Sequence, residues 1–156
     1  MNGIKDFLTC LVLSLLDFLS PQRLSRTEEP NLITTDVAAV DEYDQVEQSS
    51  LMIPYALSFQ IIQNLLKDRK DLSVLDLACG PGLFTHLIAK KLQTAEIVGV
   101  DLSEPMLKKA ENRFANRTLL SSYKFQLQDI SNLSFLENKK FDLVTFMNAS
   151  HHVPTL

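Results

Sequence analysis

The chain has 156 residues, 46% of them hydrophobic and 22% charged, with a formal net charge of -4. That length suffices for one buried core rather than two, and the composition excludes a disordered tail or a fibre. Its fifteen Lys and Arg are interleaved with nineteen acids instead of gathered in a stripe, which argues against nucleic-acid binding.

The run from Phe7 to Leu19 is strongly apolar, but Asp17 interrupts it and it falls short of the roughly 18 residues that span a bilayer. Lys5 is cancelled by Asp6, which argues against a secretory signal, with a leader or a misassigned start left as the remaining alternative. A packing or amphipathic helix is the preferred reading, with contact to a membrane surface the less favoured one. Residues 20–36, with Pro21 and Pro30, read as a linker, which leaves residues 37–156 as the main domain. Cys10 and Cys79 share no C-x-x-C spacing, so neither a disulfide framework nor a zinc finger is expected, and a reducing cytoplasm suits the chain.

From Ser50 to Leu66, Ile53, Leu57, Ile61, Ile62, Leu65 and Leu66 recur at helical spacing and predict an amphipathic helix. Beyond it, short apolar runs alternate with helical ones: "LSVLDLA", a helix from Leu83 to Leu92, "AEIVGVDL", a helix from Glu104 to Ala115, "YKFQLQDI" and "KFDLVTFMN". Strands of this kind, separated by single helices, predict an α/β fold: a Rossmann-like parallel sheet with helices on both faces. Right-handed crossovers bring all strand C-termini to one edge, where open sheets bind ligands. Asp76, Asp101, Asp129 and Asn148 each fall at or just past a strand end on that edge.

Between the first strand and its helix stands "CGPG", where missing side chains let the backbone approach a bound group. A dinucleotide site calls for G-x-G-x-x-G, but Thr85 occupies the third glycine position and Asp76 precedes the turn. A carboxylate there repels a pyrophosphate and attracts a sulfonium or ammonium group. Asp101 ends the second strand, the place from which a carboxylate accepts hydrogen bonds from ribose hydroxyls.

Together, "VLDLACGPG", "VGVDLSEPML", "FQLQDI" and "FDLVTFMNASHHV" resemble, in order and spacing, the first motifs of the class I S-adenosylmethionine-dependent methyltransferases. The resemblance implies S-adenosyl-L-methionine as cofactor and a small-molecule acceptor. It implies that Asp76 reaches the methionyl amino group, usually through water, and that the backbone of Ala78, Cys79, Gly80 and Gly82 lines the cofactor. Asp101 would hold the ribose, Leu102 and Met106 would flank the adenine, and Asp129 with Ile130 would meet its edge. Tyr43 looks like a pocket-closing tyrosine, and Asn148 lies at the end of the fourth strand beside the cofactor. Ala78 departs from the glycine that the motif often carries there.

His151 and His152 follow on the acceptor side, where either would serve as a base toward a hydroxyl acceptor. No regular ligand spacing joins them to His86, so no metal site is expected. The sequence stops after its fourth strand, which leads to the expectation of a truncated domain, inactive alone and able to self-associate through the strand at 141–147. A catalytically inactive binding or structural module and an NAD-dependent oxidoreductase are the competing readings.

Overall fold

The structure, a computed structural model, describes residues 35–66, 68–115 and 122–149. The apolar N-terminal segment, most of the linker, and His151 and His152 lie outside the described residues. Helix α1 spans Val37–Ser50, α2 Met52–Leu66, α3 Leu83–Lys91 and α4 Glu104–Ala115. Strands β1 (Leu72–Leu77), β2 (Thr94–Asp101), β3 (Ser122–Leu127) and β4 (Leu143–Phe146) form one parallel sheet in the order β3-β2-β1-β4. This is the expected Rossmann-like α/β arrangement. The order reverses between β1 and β4, which opens a crevice at their C-terminal ends, where Asp76 is paired in register with Thr145.

The sheet separates two apolar clusters. On one face Leu72, Val74 and Ile97 meet Tyr55 and Phe59 of α2, Phe84 and Ile88 of α3, and Phe114 of α4. On the other, Leu75, Val98 and Val100 are covered by Ile130, Leu133, Phe141 and Leu136, the last in a 3-10 turn at Ser134–Leu136. Among the described residues, α2, α3 and α4 therefore cover one face, and a loop with a single 3-10 turn covers the other.

Two features depart from the expectations. The helix α1 was not anticipated: it starts where Asp36 caps the Ala38 amide at 2.9 Å, and its buried face is Val40, Asp44 and Glu47. In α2 the apolar stripe chosen from the sequence is split: Ile53, Leu57, Ile61 and Leu65 face outward, all more than half exposed, while Ile62 and Leu66 face the sheet with Tyr55 and Phe59. The helix is apolar almost all round, so periodicity does not say which face the sheet takes.

Candidate cofactor site

Asp76 ends β1 beneath the glycine turn and is fully buried. Its Oδ1 accepts from Thr145 Oγ1 at 2.7 Å and its Oδ2 from Thr85 Oγ1. Burial pushes this carboxyl up to about 6, against the two hydroxyl bonds that favour the anion, and the nearby Asp101 adds to the rise. With both oxygens engaged, Asp76 ties β1, α3 and β4 together at the crevice and supplies negative potential from below the loop.

The loop has φ of +51° at Ala78, +52° at Gly80 and +74° at Gly82. A Cβ on Gly80 would meet nothing within 4 Å, so open space lies over this residue. A Cβ on Gly82 would come within 2.8 Å of the Ala110 Cβ, so the missing side chain there lets α3 and α4 approach. The same loop carries Ala78 in a left-handed conformation that L-residues adopt at a cost of about 1 kcal/mol, which gives the glycine of the common motif its physical reason. Cys79 is buried; its amide donates to the Val100 carbonyl at 3.0 Å, and burial with Asp76 and Asp101 nearby holds its thiol well above the ordinary range.

Asp101 is half-buried at the end of β2, and its carboxylate accepts from the Gly80 amide at 2.8 Å and the Ser103 amide at 2.9 Å. It therefore fixes the glycine turn while standing at the edge of the open space. Leu102 beside it is 38% exposed, available to a flat ligand, whereas Met106 is buried one turn into α4. Asp129 is exposed, and the Ser131 amide that donates to it at 2.8 Å holds its carboxyl below the usual range. Ile130 packs into the second core cluster. Asn148, at φ +55°, reaches the Tyr55 hydroxyl past the end of β4.

Helix α1 closes the arrangement. Tyr43 is 41% exposed, and its hydroxyl is pushed up by burial and by the charges of Glu47 and Asp101. Tyr55 donates to Glu47 Oε1. Arg113 of α4 donates to the Pro81 carbonyl at 3.0 Å and to Asp44, so one guanidinium fastens both the glycine turn and α1. Lys109 reinforces it through Asp41 and Asp44.

Sequence reasoning did not pick out Glu47, Tyr55, Thr145 or Arg113, and saw in Thr85 only the absence of a glycine. Thr145 alone carried a signal: a hydroxyl in the middle of "FDLVTFM" needs a buried partner. Two clefts, about 330 and 230 Å³, flank α3: the first, lined by Gln63, Arg69 and Lys91, lies away from the glycine turn, and the second, lined by Met52, Tyr55, Leu83, His86 and Arg113, runs beside the start of α3. Among the described residues no cluster of three or more His, Cys, Asp or Glu is placed to hold a metal.

A glycine turn under open space, an acid in the C-terminal part of each of the first two strands and a crevice where strand order reverses define an α/β cofactor-binding protein. Residues 74–156 match the methyltransferase domain family, and the chain belongs to it, within the class I S-adenosylmethionine-dependent methyltransferases. S-adenosyl-L-methionine is the cofactor of that class. The chain is 33% identical over 103 residues to the chloroplastic tocopherol O-methyltransferase of Arabidopsis thaliana, covering 66% of this chain and 29% of that protein. It is 37% identical over 82 residues to a demethylmenaquinone methyltransferase of Lactiplantibacillus plantarum, covering 52% and 34%. A crystal structure of an S-adenosylmethionine-dependent methyltransferase from Clostridium acetobutylicum superposes with a TM-score of 0.53 at 33% identity, covering 70% of this chain and 42% of that one. The chain thus spans about a third of the length of these curated relatives.

Proposed function

We propose that this chain carries the cofactor site of a methyltransferase that transfers a methyl group from S-adenosyl-L-methionine to a small-molecule acceptor. The observation that carries the reading is Asp101, anchored to the Gly80 amide at the rim of the space that a missing Cβ leaves open. The remaining residues fit the cofactor. Asp101 faces the ribose hydroxyls from the end of β2, the backbone from Ala78 through Cys79 and Gly80 to Gly82 lines the amino-acid portion, and Asp76 contributes charge from beneath. Leu102 and Met106 flank the adenine, Asp129 and Ile130 stand at its edge, and Tyr43 and Asn148 close the crevice.

The cofactor brings a methyl group on a sulfonium that is already a good leaving group. The work of the chain is to hold acceptor and methyl in line and to exclude water. Either His151 or His152 takes the proton of a hydroxyl acceptor. Tocopherol and demethylmenaquinone, named for the relatives, support a small organic acceptor. Among the described residues no helix is long and apolar enough to cross a membrane, and a buried free thiol at Cys79 suits a reducing compartment such as the cytoplasm.

Calorimetry on the purified chain tests the reading. S-adenosyl-L-homocysteine should bind more tightly than NAD, and Asp101→Ala should weaken it by about 1.5 to 3 kcal/mol, as loss of a charge-assisted pair does. A preference for NAD would overturn the assignment.

A further inference from the structure

The buried carboxyl of Glu47 has one oxygen that none of the contacts above uses. It projects from α1 and is 3% exposed. Its Oε1 accepts from Tyr55, but its Oε2, equally shut off from water, has no hydrogen-bond partner among the described residues. An orphaned buried carboxylate oxygen costs free energy unless a donor completes it. The Tyr55 ring lies 4.9 Å from that of Phe84 at the start of α3, and Arg113 joins Asp44, one turn before Glu47, to the Pro81 carbonyl, which sets this carboxyl on the glycine-turn side of α1.

The groups around it show what kind of donor is missing. On its own helix Glu47 faces Asp44 and Tyr43; from α2 it faces Tyr55, from α4 Arg113 and from β1 Asp76. Arg113 is the cation that faces Glu47, and it is already spent on Asp44 and the Pro81 carbonyl, while Lys109 beside it is spent on Asp41 and Asp44. Carboxylates therefore outnumber cations at this end of the crevice. Desolvation, with the charges of Asp44 and Asp76 behind it, raises the Glu47 carboxyl to about 7 despite the Tyr55 bond and Arg113, so at neutral pH about half of it is protonated.

We propose that Glu47 receives the amino-acid ammonium of S-adenosyl-L-methionine through its free oxygen, and that it loses its proton to solvent when it does so. This rests on the cofactor reading given above. The ammonium is the cation in question because Glu47 stands near Asp76, at the end of the crevice assigned to the amino-acid portion, while Asp101 holds the ribose end. An N–H donor with a positive charge completes Oε2 and removes the reason for the carboxyl to stay protonated. Cofactor capture thereby becomes linked to pH through a helix outside the glycine loop.

Titration calorimetry of the purified chain with S-adenosyl-L-homocysteine and with S-adenosyl-L-methionine, repeated in buffers of different ionisation enthalpy, tests this. The wild type should release about half a proton per ligand at pH 7, and its affinity should rise roughly ten-fold between pH 6 and pH 8 as the carboxyl ionises. Glu47→Gln keeps the shape and an acceptor for Tyr55; it should weaken both ligands roughly ten-fold and abolish most of the proton release. Unchanged affinity and proton release in Glu47→Gln would overturn the proposal, as would a loss confined to S-adenosyl-L-methionine, which would point to the sulfonium. Should the variant not fold, a flat wild-type affinity profile from pH 6 to pH 8 would overturn it alone. Failure of the wild type to bind either ligand is a different result and would remove the cofactor reading itself.

Discussion

The unit formed by β1, the glycine turn and α3 is held by apolar burial and backbone geometry, whereas α1 is held largely by charge. In the first, Leu72, Val74, Phe84 and Ile88 lie in one core cluster and the turn is tied by amide hydrogen bonds. In the second, the buried face is one valine and two acids, Asp44 and Glu47, fastened by Arg113, Lys109 and Tyr55. A hydrophobic pattern announces the first kind of element and passes over the second. The charged helix also carries Tyr43 and Glu47, so the region least visible in the sequence is one on which the proposed site draws.

The largest effect should come from Thr145→Val, which leaves one oxygen of the fully buried Asp76 without its donor. Loss of about 2 to 3 kcal/mol in urea denaturation is expected, the cost of an unsatisfied buried polar group on a charge. Thr85→Val should cost a similar amount. If neither changes the midpoint, Asp76 does not brace the unit.

A smaller effect separates the two regions by pH. Glu47 titrates at about 7 and Asp76 at about 6 in the folded chain, both raised above their ordinary carboxylate values. The folded state therefore binds more protons than the unfolded one in this window. Their contribution to stability is full below about pH 4 and is lost as pH rises through 6 to 7. The free chain should lose on the order of 2 kcal/mol between pH 5 and pH 7.5 through Glu47, and Glu47→Gln should flatten that slope while leaving the Asp76 part. Denaturation midpoints across the range check it; a slope of opposite sign would contradict the burial of both acids.

The smallest effect belongs to the loop. Ala78→Gly relieves a left-handed residue at φ +51°, and after the entropy that glycine loses on folding a gain of about 0.5 kcal/mol should remain, read as a rise in melting temperature. An unchanged or lower melting temperature would show that the neighbouring strands impose the strain on any residue there.

Much of the fold was legible because it is repetitive physics. Short apolar runs separated by single helices leave a parallel sheet as the way to bury both strand faces, and the four strands and α3 and α4 lie within a few residues of the expected spans. Of the site, the strand-end acids and glycines were legible because they sit at the ends of recognisable elements. Glu47 and Tyr55 were not, because their partners are eight residues and a helix boundary apart and their interaction is polar.

The sequence by itself determined the class of fold, the edge at which the cofactor site lies and the family, since alternation of period and the residues at strand ends are local properties of the chain. Only the tertiary structure decided which face of α2 meets the sheet, that Asp76 is enclosed by two threonines instead of facing a ligand openly, and that a polar helix sets Glu47 beside the glycine turn. Those outcomes depend on which distant groups are close enough to desolvate or pair with one another. That closeness comes into being when β4 and α4 pack against β1 and the loop, and no pattern within a single segment encodes it.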